Sequence, residues 1–327
     1  MKNPIPYPEF LPAAFLRHTY VQTILASSRI RRARQNPMVE HEKETILEVG
    51  EGIRLQGFFS RPKNSKGVVI LIHGWEGSAT STYILSTGKY LFEREYAIFR
   101  LNLRDHGESH HLNTGLFWAI ILDEVFEAVR QAAQMEKGAP AFLVGFSLGG
   151  NFVLRIAKKC ARIPIPELKH IVAISPGLNP SLSTDAIDQA PLLKWYFLKK
   201  WRKSLRIKER LFPHLYRFND LLTRKSVREM TALVLERYSG YGEIEGYFSG
   251  YDLTGKALKE LSIPTTLITA EDDPIIPVDD FHGLHLTPST HLIVHRFGGH
   301  NGFIETIPFQ CWYEAHIHRI LEKETSS

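Results

Sequence analysis

Short apolar runs recur along the chain and are separated by segments of helical period. Gly67-Val68-Val69-Ile70-Leu71-Ile72 is apolar throughout, the pattern of a strand covered on both faces rather than one. Similar runs lie at 96–102, 140–146, 169–175 and 264–270, and 291–297 alternates into a loop rich in glycine. Two further segments, 44–49 and 53–59, read as paired strands that begin the sheet. Strands alternating with helices predict an α/β fold, a mostly parallel eight-stranded sheet with helices on both faces. One of those helices is predicted from Leu116 to about Met135, with Ile120, Ile121, Val125, Phe126 and Val129 on one side.

Two stretches fall outside the alternation. Residues 1–43 form an N-terminal arm. Its proline-rich start, Met1 to Pro8, excludes regular helix; Pro12 to Ile24 reads as a short helix, and Arg29, Arg31, Arg32 and Arg34 make a basic stretch. Residues 177–262 are too long for a simple connection and are expected to be an inserted helical cap, leaving 44–176 and 263–327 as the core. Within the insert Leu198, Trp201, Leu205 and Phe212 share a helical face, with Lys199, Lys200, Arg202, Lys203 and Arg206 largely on others. Such a helix has three readings: a lid packed on the core, an element docked on an anionic membrane surface, or a recognition site for an acidic group such as phosphate. The cluster Trp195, Tyr196, Phe197 and Trp201 suits an apolar pocket, and equally a plain core.

Charge sharpens the view of that insert. The net charge of +5 averages a local +10 at 191–228, twelve Lys or Arg against two acids, with a remainder near −5. A basic element on a mildly acidic body argues against a general nucleic-acid binder. At 327 residues and 43% hydrophobic the chain can bury a full core. No run of about 18 apolar residues is present to span a membrane, and Met1 to Pro8 lacks the apolar stretch of a secretory signal. Cys160 and Cys311 are far apart on two predicted helices, so a reducing, cytoplasmic setting is expected.

The candidate chemistry sits at strand ends. Gly145-Phe146-Ser147-Leu148-Gly149 stands between an apolar strand and a helix, the setting in which a sharp turn lifts a serine hydroxyl clear of a sheet. A serine becomes a nucleophile only beside a histidine that takes its proton, and that histidine needs an acid to orient it. Glu271, Asp272 and Asp273 follow the strand at 264–270 and supply candidates for the acid, in a cluster that would also suit a solvated turn. Among the C-terminal histidines His291 and His295 lie within a strand, whereas His300 sits in a glycine-flanked loop able to reach across the sheet. The loop His73 to Ser78, after the strand at 67–72, is placed to stabilise an oxyanion with the backbone N–H of Trp75, the second donor being that of Leu148. Asp105 and His106, in the loop Arg104 to Ser109, are expected to brace that region rather than to react. The pairs His110-His111, His282/His285 and His316/His318 lack metal-site spacing, so neither metal nor cofactor is expected.

From about residue 44 to the end, these features together resemble the α/β-hydrolase superfamily. In its pattern the acid stands four residues before a proline; with Pro277 this selects Asp273, with Asp272 as the alternative. Three segments are similar to a YheT-like subgroup of esterases and lipases. They are Phe15 to Ile24, which matches a His-x-x-x-Gln-Thr motif or its shorter form; His73 to Ser78; and Phe218-Asn219-Asp220 with Gly250-Tyr251-Asp252. Arg104-Asp105-His106-Gly107 departs from the Arg-Gly-Cys or Arg-Gly-His usual there. The resemblance implies the α/β-hydrolase fold and hydrolysis of a small-molecule or lipid ester through an acyl-enzyme on Ser147, Asp273 and His300. Thioester hydrolysis or acyl transfer would use the same residues, and a non-catalytic scaffold would keep only the fold.

Overall fold

The computed structural model describes residues 9–32 and 35–325. The proline-rich start at 1–8 and Arg34 lie outside them. The core is an eight-stranded sheet in the order β1-β2-β4-β3-β5-β6-β7-β8. Its strands are β1 (Glu42–Gly50), β2 (Ile53–Ser60), β3 (Val68–Ile72), β4 (Ala97–Leu101), β5 (Ala141–Phe146), β6 (Leu168–Ile174), β7 (Thr265–Ala270) and β8 (Thr290–His295). β2 runs antiparallel to β1 and β4, and every other pairing is parallel. β3, β4 and β5 are buried at every position, which is why β3 and β5 are apolar without alternation; in β4 the exception, Arg100, is paired with Glu42 and Ala79 O.

Helices cover both faces. α1 (Thr19–Ser27) and α2 (Pro37–Glu40) precede the sheet, and α3 (Thr82–Phe92) follows β3. α4 (Asp123–Ala133) and α5 (Leu148–Cys160) flank β5. Between β6 and β7 the chain makes α6 (Pro180–Gln189), α7 (Pro191–Leu211), α8 (Val227–Tyr238) and α9 (Ile244–Ser249). α10 (Asp279–His282) follows β7, and after β8 a small hairpin, β9 (Ile304–Thr306) and β10 (Gln310–Cys311), leads into α11 (Trp312–Thr325). The apolar side chains form two main clusters. One joins α4 and α5 to the inserted helices through residues such as Leu154, Leu205 and Val234. The other joins α3 and α11 to the opposite face through Ile84, Trp312 and Ile317. Phe10 and Leu16 belong to the second cluster, so the N-terminal segment is packed on the core.

Two helix boundaries differ from expectation. The helix predicted from Leu116 starts only at Asp123, where two acids occupy the first turn and complement the helix dipole. Residues 116–122 are irregular because distant side chains satisfy their backbone. Asp105 accepts from Phe117 N, Tyr247 Oη from Ala119 N, and Arg155 donates to Ala119 O and Ile120 O. The helix expected over 12–24 is split into a 3₁₀ turn at Ala14–Leu16 and α1, whose N-cap is His18. Among the described residues no helix is long and apolar enough to cross a membrane.

Candidate active site

Ser147 occupies the turn between β5 and α5 with φ +56°, a strained conformation for a residue with a side chain. The flanking glycines make this turn possible. A Cβ on Gly145 would lie 2.2 Å from Gly149 O, and one on Gly149 would lie 2.3 Å from Ile72 O. Gly74 approaches from the neighbouring loop, where a Cβ would stand 3.0 Å from that of Ser147.

The structure brings Ser147, His300 and Asp273 into one hydrogen-bonded chain. His300 Nε2 is 2.8 Å from Ser147 Oγ, and His300 Nδ1 is 2.9 Å from Asp273 Oδ2. The Asp273 side chain is fully buried, and its other oxygen accepts from Ile275 N and Ile276 N at 2.9 and 3.0 Å. A carboxylate held this way fixes the imidazole with its proton on Nδ1 and a lone pair facing the serine. Asp272 turns away: its Oδ1 accepts from Gly299 N at 2.8 Å, bracing the loop that carries His300. Burial raises the Asp272 carboxyl above the usual range.

Helix α1 grips the same loop. Thr23 Oγ1 accepts from His300 N at 2.9 Å, and Thr19 Oγ1 donates to Asp272 O at 2.5 Å. Gln22 accepts from Ile304 N and donates to Ile304 O. These bracing roles were not foreseen. Their traces in the sequence are the polar pair Gln22-Thr23, two buried positions in a short helix, and the His-x-x-x-Gln-Thr motif that contains it.

The candidate oxyanion donors are set by exclusion. In the loop after β3, Gly74 N donates to Tyr83 Oη, Glu76 N to His106 Nε2 and Gly77 N to Gly74 O. Trp75 N has no acceptor among the described residues. Leu148, the first residue of α5, has an amide with no acceptor within its helix. Two buried histidines staple this loop to residues 103–106. His73 donates from Nδ1 to Gly74 O and accepts from Leu103 N; His106 donates from Nδ1 to Arg104 O. Burial pushes His73 down to about 4 and His106 well below its ordinary value, so both are neutral. Asp105 accepts from Phe117 N and from Lys208 Nζ of α7 at 2.7 Å. The Lys208 ammonium also donates to Asn113 O and Gly115 O. Burial raises the Asp105 carboxyl to about 6 against the pull of Lys208.

Two cavities meet at Ser147. One, of about 160 Å³, is walled by apolar groups including Phe117, Leu148, Ile187, Val234 and Phe248. The other, of about 510 Å³, is polar and is lined by Arg29, Arg32, Tyr196, Lys200, Lys203 and His300. Of the aromatics singled out on α7, Phe197 stacks on Trp75 at 5.3 Å and Trp201 meets its edge. Trp195 is 58% exposed and lines neither cavity. Among the described residues no group of three His, Cys, Asp or Glu has metal-site geometry.

The family model Hydrolase_4, described as serine aminopeptidase S33, matches residues 63–286, about two thirds of the chain. The chain is 23% identical over 294 residues to phospholipase ABHD3 of Mus musculus, covering 85% of this chain and 70% of that protein. It is 23% identical over 324 residues to the putative esterase YheT of Escherichia coli, covering 94% and 92%. Among solved structures it resembles the Pyrococcus furiosus esterase Pf2001, with a TM-score of 0.56 and 16% identity over 89% of this chain and 95% of that one.

Proposed function

The chain belongs to the Hydrolase_4 family and is an esterase- or lipase-like α/β-hydrolase, and from that premise we propose that it cleaves carboxylic esters through an acyl-enzyme on Ser147. The unbroken chain from Ser147 through His300 to Asp273 carries this reading. Ser147 Oγ adds to the ester carbonyl while its proton passes to His300 Nε2, and the carbonyl oxygen takes the charge between Trp75 N–H and Leu148 N–H. Collapse breaks the acyl–oxygen bond, and His300 returns the proton to the departing alcohol. Water then attacks the acyl-serine, again giving its proton to His300, and the acid leaves as Ser147 is regenerated. Asp273 holds the imidazole and stabilises its charged form throughout.

The family description names an aminopeptidase, which must grip a substrate ammonium with a free carboxylate. Among the described residues the carboxylates lining the apolar cavity are those of Glu76 and Asp105. Burial raises the first to about 8, and Lys208 holds the second, which favours an uncharged acyl group there. The test is hydrolysis of p-nitrophenyl hexanoate with labelling by a fluorophosphonate. Ser147→Ala should lower turnover by roughly 10³-fold or more and abolish labelling. Ester hydrolysis that persists in Ser147→Ala would overturn the reading.

A further inference from the structure

The two cavities share Ser147 and Trp75 but divide the other reactive groups. Leu148, the second oxyanion donor, lines only the apolar cavity, and His300, which protonates the leaving oxygen, lines only the polar one. An ester seated on Ser147 therefore extends its acyl chain into the apolar cavity and its alcohol part past His300 into the polar one.

That polar chamber is built from two distant segments. The 3₁₀ turn at Arg29–Arg31 and its C-cap contribute Arg29 and Arg32, and α7 contributes Lys200 and Lys203. Arg32 is anchored by donating to Thr80 O at 2.8 Å, and Lys200 by donating to Glu76 O at 2.6 Å with its ammonium over the Tyr196 ring. Neither Lys203 nor Arg29 has an ion-pair partner among the described residues. Among the described residues the carboxylates in the chamber are those of Glu76 and Asp105. Asp105 is engaged by Lys208, and Glu76 is raised to about 8 by burial, so near neutrality the cations face no free anion. A concave space in which cations predominate raises the local potential felt by an entering anion.

We propose that this chamber is the alcohol-side subsite and that it selects esters whose alcohol part bears a phosphate, held by Arg32, Lys200 and Lys203. The assignment rests on Ser147 being the esterase nucleophile. It also gives a role to two of the cations of α7, Lys200 and Lys203, which converge with Arg29 and Arg32 from another segment beside the nucleophile.

The test compares 1-hexanoylglycerol 3-phosphate with 1-hexanoylglycerol, both as soluble monomers. The phosphate ester should show about 10- to 100-fold higher kcat/KM, the effect of one or two charge-assisted contacts. Lys203→Ala and Arg32→Ala should each reduce that ratio about fivefold, and added salt should reduce it further. A ratio near one in monomers and in vesicles alike, unchanged by either variant, would overturn the proposal while leaving the esterase reading intact. A second arm presents both esters, with long acyl chains, in neutral phosphatidylcholine vesicles. A preference already seen with monomers assigns a free phosphate ester, and one seen only in vesicles assigns a lipid headgroup; either supports the subsite. If neither ester turns over and Ser147 resists the fluorophosphonate, the esterase reading fails. Calorimetric titration of glycerol 3-phosphate then decides the chamber: binding weakened by Lys203→Ala upholds it, and no binding overturns it.

Discussion

If the apolar cavity takes the acyl chain, as proposed, its size sets a limit on acyl length. At about 160 Å³ it is comparable with the engineered cavity of about 150 Å³ that accepts benzene, which corresponds to roughly six carbons. Each methylene moved from water into such a space contributes about 0.8 kcal/mol, or about fourfold in kcat/KM. Acetyl to hexanoyl adds four methylenes and should raise kcat/KM by roughly 250-fold. Past octanoyl the chain must push against α8 and α9, and overpacking of about 1–3 kcal/mol should turn the profile down. Thr231, on the face of α8 that lines the cavity, offers a direct perturbation. Thr231→Phe should lower kcat/KM for hexanoyl and octanoyl esters about tenfold or more, by the same overpacking, and spare the acetyl ester. The assay is steady-state hydrolysis of p-nitrophenyl esters from acetyl to dodecanoyl by both proteins. A flat profile, or a maximum at acetyl or dodecanoyl, would refute the assignment of this cavity to the acyl chain. Equal losses for acetyl and hexanoyl esters in the variant would show that α8 does not form its end.

Three further outcomes follow from the braces around the site. Thr23→Val removes the acceptor for His300 N and leaves a buried donor unpaired, so kcat should fall about tenfold with KM nearly constant, while Thr23→Ser keeps activity. Steady-state kinetics decides this, and an unchanged kcat would mean that α1 does not position the loop. Lys208→Met strands the buried Asp105 carboxylate and should cost about 3–5 kcal/mol in urea unfolding. Adding Asp105→Asn should recover part of that loss. His73 is held neutral in the fold at about 4, below its ordinary 6.5, so the unfolded chain takes up the proton first. Its contribution is complete above pH 6.5 and is lost as pH falls towards 4, a loss of about 3 kcal/mol visible in urea titrations across that range. Stability that stays flat from pH 6.5 to 4 would contradict the buried neutral state.

What was legible in the sequence was what neighbouring residues determine among themselves. β3 and β5 stand out because strands covered on both faces must be apolar at every position. The turn at Ser147 stands out because its geometry admits only glycine at positions 145 and 149. Asp273 was separated from Asp272 only by what the resemblance to the α/β-hydrolase superfamily implies, an acid four residues before a proline, and the structure gives each a different partner, His300 for one and Gly299 for the other. The failures share one cause. Residues 116–122 carry a helical pattern, yet their amides and carbonyls are taken by Asp105, Arg155 and Tyr247, which are remote in sequence. The grip of Thr19 and Thr23 on the His300 loop spans more than 250 positions, and no periodicity reports a contact of that kind.

Lys208 shows where a closer reading had a signal to use. It follows Leu205 by three residues and Trp201 by seven, so it falls on the apolar stripe of α7 and not among the cations of the solvated faces. A cation on an apolar stripe requires buried oxygens, and an ammonium has three protons to place. The structure supplies them from Asp105, Asn113 and Gly115, all in the stretch that follows β4. The adjoining residue, His106, accepts from the amide of Glu76 in the loop after β3. With φ +56° at Asp105, the backbone sends the carboxylate towards α7 and the imidazole towards that loop. One strained turn thus ties the position of the inserted helix to the loop that carries Trp75 N. The inserted helix α7 and the loop proposed to stabilise the oxyanion are held by the neighbouring residues Asp105 and His106.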